Sequence, residues 1–168
     1  EMTVTSGPAR VRANFERLYT LTTDVSGNGS ITPPAGSHIY TEGTVVDLSA
    51  SPDAGWEFAQ WSGDLSGSTN PTTITMDSDK EVTAEFQLKT YQLDLVTSTP
   101  GAEFTPESPV TMTHGVAQTI EVSVPTGYEF VNWTKELGTL EIDSPTSPVT
   151  EMTVTSGPAR VRANFERL

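Results

Sequence analysis

The residues best suited to chemistry in this chain are two histidines, His38 and His114, among 168 residues. They do not occupy equivalent places in the internal repeat described below, so no shared catalytic or metal-binding pair is expected. The chain has no cysteine, which removes the thiolate ligands of most structural zinc sites. No glycine-rich phosphate loop precedes a helix, and no nucleophile motif is present. The sequence therefore predicts a protein without enzymatic activity.

Aspartates in predicted turns raise the question of calcium. Asp77 and Asp79 flank one turn, and Asp53 and Asp64 lie in loops. Calcium takes about six to eight oxygen ligands, but the EF-hand spacing is absent and the second copy of the repeat lacks the matching acids. Solvated turn carboxylates, which also discourage pairing at sheet edges, are the favoured interpretation. No cofactor is predicted, and calcium is the alternative.

Charge and composition restrict the class of partner. The formal net charge is −13, which disfavours nucleic acid because phosphates require lysine and arginine. Hydrophobic residues make up 35% of the chain, and no apolar run is long enough to span a membrane. Abundant serine, threonine, glycine and proline favour short strands joined by turns.

The elements that would position any site are organised by repeats. Residues 151–168 read EMTVTSGPARVRANFERL, and residues 1–18 are identical at all 18 positions. Apolar residues alternate on both sides of a Ser-Gly-Pro turn, which predicts a β-hairpin. Because an isolated hairpin is marginal in water, we expect residues 1–18 to add strands to the following module or to a neighbouring chain.

A second, diverged repeat has an offset of 72 residues. Gly-Trp-Glu-Phe-Ala-Gln-Trp at 55–61 matches Gly-Tyr-Glu-Phe-Val-Asn-Trp at 127–133. The closing strands match at an offset of 79, so the second copy has about seven more residues. We assign these to a surface loop within 134–150.

The predicted organisation is two modules with a partial third. Module 1 spans 19–90, module 2 spans 91–168, and residues 1–18 are the closing hairpin of a preceding repeat. The fold class is all-β, with tandem β-sandwich or β-grasp-like meanders and little or no helix. In module 1, an Asn-Gly turn follows the first strand, and strands at 72–76 and 81–88 form a closing hairpin.

The aromatic motif is interpreted mainly as core. Strict alternation would place Phe58 and Trp61 on opposite faces, so we predict a β-bulge near Ala59-Gln60 that returns them to one face, and another near Val131-Asn132. The predicted structural core consists of Phe58, Trp61, Phe86, Phe130, Trp133, Phe165 and Phe15. Trp56 and Tyr128 are the members best placed to be exposed and to stack on a sugar.

Together these residues resemble the divergent internalin-B-type repeat of bacterial surface proteins. The resemblance lies in Tyr-Thr-Glu-Gly-Thr-Val-Val at 40–46, Pro-Asp-Ala-Gly-Trp-Glu-Phe at 52–58, Trp-Ser-Gly-Asp at 61–64 and Met-Asp-Ser-Asp-Lys-Glu-Val-Thr-Ala-Glu-Phe at 76–86. Module 2 departs from it after Trp133 and in its last turn. The resemblance implies a small β-rich domain of a secreted or cell-wall-linked protein.

Two functions follow as hypotheses. The first is a non-catalytic, extracellular structural repeat that acts as a stiff stalk, spacer or fibre-forming unit. Its partners would be neighbouring repeats of the same protein, including self-association through residues 1–18. The alternative is an adhesin module that binds a glycan or a host protein through Trp56, Tyr128 or the 134–150 loop.

Overall fold

The computed structural model describes residues 12–168, which form thirteen β-strands and no helix. None of the elements in that range is a helix that could cross a membrane. The strands are β1 Leu18–Ser26, β2 Gly29–Thr32, β3 Gly36–Thr41, β4 Val45–Pro52, β5 Trp56–Gly63, β6 Thr72–Thr75, β7 Lys80–Leu88, β8 Thr90–Val96, β9 Phe104–Thr105, β10 Val110–Thr113, β11 Gln118–Val122, β12 Tyr128–Ile142 and β13 Val149–Arg167. The all-β fold class is therefore confirmed.

Module 1 is built from two sheets. One has the order β3-β1-β7-β5 and the other the order β2-β4-β6. All pairings are antiparallel except that of β1 with β7, which is parallel. Alternating apolar residues of both sheets meet in one core, for example Leu21 of β1 and Leu48 of β4, both with no exposed surface.

Module 2 repeats this plan with one long strand at its centre. β8, β10, β11 and β12 take the places of β1, β3, β4 and β5. β13 pairs with β11 near its beginning, with β8 in its second half and with β12 along most of its length. It therefore corresponds to β6 and β7 joined end to end. It therefore contributes to both layers, and its core is separate from that of module 1.

Two hairpin predictions are wrong for a common reason. In module 1, β6 pairs with β4 while β7 pairs with β1 and β5, so these strands lie in different sheets instead of pairing with each other. In module 2, Ser156-Gly157-Pro158 lies inside β13, where Gly157 has a φ of 58°. Each half of the segment finds its partners in other strands, so the expected turn becomes a local irregularity in a continuous strand.

The predicted surface loop at 134–150 is also mostly strand. β12 continues to Ile142, and only the stretch from 143 to 148 lies between it and β13. The extension is stabilised because Leu140 is 3% exposed and Ile142 packs against the same core. The extra residues of module 2 therefore lengthen a strand pair.

The predicted hairpin of residues 1–18 lies largely outside the described residues, which begin at 12. Residues 12–17 belong to no strand and are exposed. Phe15, which was predicted to be core, is 93% exposed, so that prediction is wrong. The reason is the backbone around it: residues 12–17 belong to no strand, whereas its counterpart Phe165 lies in β13 and contacts Phe130 of the aromatic motif.

Candidate functional site

The aromatic motif of module 1 is positioned by a β-bulge in β5. The register between β5 and β7 shifts between Phe58 and Gln60, so Ala59 is the extra residue, and the predicted bulge is confirmed. Phe58 and Trp61 consequently lie side by side, with ring centroids 5.0 Å apart, and Phe86 lies 6.0 Å from Phe58. Trp61 is 2% exposed, Phe86 is 7% exposed and Phe58 is half-buried.

Module 2 reproduces this cluster with the same bulge. The register between β12 and β13 shifts between Phe130 and Asn132, which confirms the bulge predicted near Val131-Asn132. Phe130 then lies 5.5 Å from both Trp133 and Phe165. Trp133 is 3% exposed, while Phe130 and Phe165 are half-buried. Both clusters therefore fill the cores of their modules.

Each buried tryptophan also holds a loop through its indole N–H. Trp61 Nε1 donates to the carbonyl oxygen of Thr69 at 2.9 Å, and Trp133 Nε1 donates to that of Ser147 at 2.8 Å. A buried indole N–H needs an acceptor, and here the acceptor comes from a connection that follows the motif by eight residues in one module and fourteen in the other. Alternation alone gave no signal for these contacts.

Trp56 and Tyr128, the candidate sugar-stacking residues, are half-buried. Trp56 packs against the core of module 1, and its ring covers Gly27 so closely that a Cβ there would lie 2.8 Å from Trp56 Cζ3. Tyr128 is the first residue of β12 and pairs with Arg167. The two residues therefore begin equivalent strands of different modules.

The turn aspartates are used within the fold. Asp79 Oδ1 accepts a hydrogen bond from the Thr20 N–H, and Asp64 Oδ2 accepts one from the Glu81 N–H, both at 2.7 Å. Lys80 contacts Asp77 at 2.8 Å, and this hydrogen bond lowers the pKa of the Asp77 carboxyl. Among the described residues, no group of three or more His, Asp or Glu side chains is arranged to hold a metal ion.

The two histidines lie apart in the fold. His38 belongs to β3, and its Nε2 donates to the carbonyl oxygen of Pro34 at 2.7 Å. His114 follows β10 and lies between the modules, where its ring covers Gly55: a Cβ on that glycine would lie 2.3 Å from His114 Nε2. The structure thus assigns His114 to a contact between modules, which sequence reasoning missed.

That contact belongs to a junction centred on Lys89, the single residue between β7 and β8. The Lys89 N–H donates to Gly55 O at 2.9 Å, and the Lys89 carbonyl accepts from the His114 N–H at 2.8 Å. One residue is therefore bonded to both modules. The sequence signal for this junction was the short distance between the closing and opening strands.

Comparisons with known proteins return one family. A model described as the divergent InlB B-repeat domain matches residues 19–90 and again residues 91–168. Neither the search of curated proteins nor the search of solved structures gives a match.

Proposed function

The chain belongs to the divergent InlB B-repeat domain family, and from that premise we propose that it is a non-catalytic structural repeat of a bacterial surface protein. In this role it holds two points on the outside of the cell at a fixed separation, as a stiff spacer. The structure supports this role because the Phe-x-x-Trp aromatics lie in the cores, Asp64, Asp77 and Asp79 bond within turns, and His114 lies at the module junction.

The junction is the observation that carries the proposal. A flexible linker would let the modules rotate independently, whereas Lys89 offers no free length between β7 and β8. Its two backbone hydrogen bonds and the close approach of the His114 ring to Gly55 restrict rotation of one module against the other. In repeat proteins each unit contacts only its neighbours, so such junctions set the stiffness of the whole array.

Stiffness is tested by NMR relaxation of backbone amides on the full chain. We expect the two modules to show a common rotational correlation time. Inserting Gly-Gly-Ser-Gly after Lys89 should uncouple the modules, so that each shows its own, shorter rotational correlation time. The same insertion after Gly101, in the exposed turn between β8 and β9, is the matched control and should leave the common time unchanged. Independent tumbling of the unmodified modules would contradict the proposal.

A binding experiment distinguishes the adhesin function from the spacer role. A glycan array probed with the wild-type chain and with Trp56→Ala and Tyr128→Ala variants should show no binding that depends on either aromatic residue. Binding that is lost in one of these variants, with the melting temperature retained, would favour the adhesin function.

A further inference from the structure

The Gly127 end of module 2 repeats the end of module 1 that forms the junction. Gly127 is the counterpart of Gly55 in the internal repeat, and their φ values are 84° and 81°. Gly55 O accepts the Lys89 N–H at 2.9 Å. Gly127 O likewise accepts the Leu168 N–H at 3.0 Å. The ring of His114 covers Gly55, whereas a Cβ on Gly127 would meet no atom within 4 Å. Module 2 therefore presents the same docking surface as module 1, exposed to solvent.

The opposite end of module 1 repeats the part of module 2 that docks at the junction. Glu42 is the counterpart of His114 and lies in the same turn, directly after the strand that pairs with the first strand of its module. The His114 N–H donates to the Lys89 carbonyl at 2.8 Å. The Glu42 N–H donates to the Arg17 carbonyl, also at 2.8 Å. The Arg17 guanidinium lies 3.9 Å from the Glu42 carboxylate and donates to the Tyr19 hydroxyl at 3.3 Å. Module 1 therefore holds the residue before its first strand as module 2 holds Lys89.

The two half-junctions meet at copies of one dipeptide, because Arg17-Leu18 has the same sequence as Arg167-Leu168. The first copy uses its carbonyl, which accepts from Glu42, and the second copy uses its N–H, which donates to Gly127. This carbonyl and this N–H belong to one peptide group, and in a trans peptide they point in opposite directions. A single Arg-Leu peptide group can therefore bond to a module on each side, as Lys89 does.

Strands joined through this dipeptide would have no linker between them. β13 ends at Arg167, and β1 begins at Leu18, which is the counterpart of Leu168. The last strand of module 2 would thus continue directly into the first strand of a following module 1, whereas Lys89 separates the strands at the existing junction. Arg167 would also bring to the Glu42 turn the guanidinium that Arg17 brings there now. The dipeptide therefore matches module 1 as the partner.

We propose that the Gly127 end of module 2 is a docking surface for a further copy of module 1, which is joined through Arg167-Leu168 and seated by its Glu42 turn. The inference names the partner of the structural role proposed above and rests on it. The docked module places Glu42 where His114 lies in the existing junction. Junctions with one residue and with no residue between the strands then alternate, and each unit contacts only its neighbours.

The test extends the full chain by a second copy of residues 19–90 placed directly after Leu168, and each module is isotopically labelled in turn. We expect NMR relaxation to give the third module the same rotational correlation time as the first two. Inserting Gly-Gly-Ser-Gly after Leu168 is the matched control and should give the third module its own, shorter time. Independent tumbling of the third module without the insertion overturns the inference. Modules 1 and 2 that still tumble together in that chain would uphold the spacer role, so the two failures are distinguishable.

Amide hydrogen exchange compares the two copies of Glu42 in the extended chain. The first copy bonds to Arg17, which belongs to an exposed segment outside any strand. The copy in the third module would bond to Arg167, which β13 holds in place. We expect its N–H to exchange at least about tenfold more slowly than that of the first copy, and the insertion after Leu168 should abolish this difference. Equal exchange rates without the insertion overturn the inference.

A second extended chain, with residues 91–168 placed after Leu168 in place of residues 19–90, tests the choice of partner. His114 of the added module would take the place of Glu42, so Arg167 would face no carboxylate there. The residue that spaces His114 from Gly55 in the existing junction would also be missing. We expect this third module to tumble independently of the other two. A common correlation time would show that the surface accepts either module and would overturn its assignment to module 1.

Discussion

Residues 12–18 and 162–168 have the same sequence and different structures. Ala163 is 2% exposed and Phe165 packs 5.5 Å from Phe130, whereas Ala13 is exposed and Phe15 is 93% exposed. Local β-propensity is identical in the two segments, so it cannot cause the difference. What differs is the presence of β8 and β12 beside the second segment. Alternation identifies the face that will be buried, and only a neighbouring strand buries it.

The glycines that precede the two aromatic strands likewise share a local conformation and differ in their surroundings. Gly55 and Gly127 have φ values of 81° and 84°. Gly55 is covered by the ring of His114, while a Cβ on Gly127 would meet no atom within 4 Å. The same local conformation is thus a packing site in one module and an open surface in the other.

The largest effect should be the difference in stability between aspartate variants at Ala163 and at Ala13, which occupy the same place in the two identical segments. Ala163→Asp buries a carboxylate and should lower the free energy of unfolding by about 3 kcal/mol or more. Ala13→Asp places it in water and should change that free energy by less than about 0.5 kcal/mol. Urea unfolding of the two variants measures the difference, and equal losses would mean that residues 12–18 are packed in solution.

A smaller effect is expected from the two phenylalanines. Phe165→Ala removes a half-buried ring from its contact with Phe130 and should cost about 2 kcal/mol, below the roughly 3–5 kcal/mol of a fully buried phenylalanine. Phe15→Ala should be close to neutral in dilute monomeric protein. Measuring both by urea unfolding at two protein concentrations sharpens the comparison, because a cost for Phe15→Ala that appears only at the higher concentration indicates association.

The difference in stability between the Gly55→Ala and Gly127→Ala variants should be smaller. Alanine at either position costs about 1 kcal/mol because it is forced to a positive φ, and Gly55→Ala also displaces the His114 ring. We expect Gly55→Ala to exceed Gly127→Ala by about 1 kcal/mol in thermal or urea unfolding. In a His114→Ala background the two costs should become equal. An excess that persists there would show that the ring is not what Gly55 accommodates.

Much of the fold could be predicted, because period-two alternation and turn residues define strands. The bulges at Ala59 and Val131 followed from the three-residue spacing between Phe58 and Trp61 and its repeat in module 2. Pairing partners did not follow, because alternation identifies a face without identifying the neighbour, and so β6 and β7 were predicted as a hairpin. The packing of His114 on Gly55 could not be predicted from the sequence either, since it depends on the angle between the modules.

The smallest expected effect is a pH dependence of stability at one cross-strand pair, which has different residues in the two modules. In module 1, Gln87 Nε2 donates to Glu57 Oε1 at 2.8 Å, whereas module 2 pairs Glu129 with Glu166. The hydrogen bond with Glu166, and then its charge, raise the pKa of the Glu129 carboxyl. A raised pKa means that the folded state holds the proton more tightly, so this contribution is present at low pH and is lost as pH rises through the raised value.

Glu166→Gln should remove that dependence by giving module 2 the pair that module 1 already has. We expect the melting temperature of the variant to exceed that of the wild type slightly at pH 7, with the two converging as the pH falls to the ordinary range of a glutamate carboxyl. The reciprocal change, Gln87→Glu, should introduce the same pH dependence into module 1. If both variants follow the wild-type pH profile, the carboxylates of Glu129 and Glu166 are too well solvated to interact, and the difference between the modules at this pair has no energetic consequence.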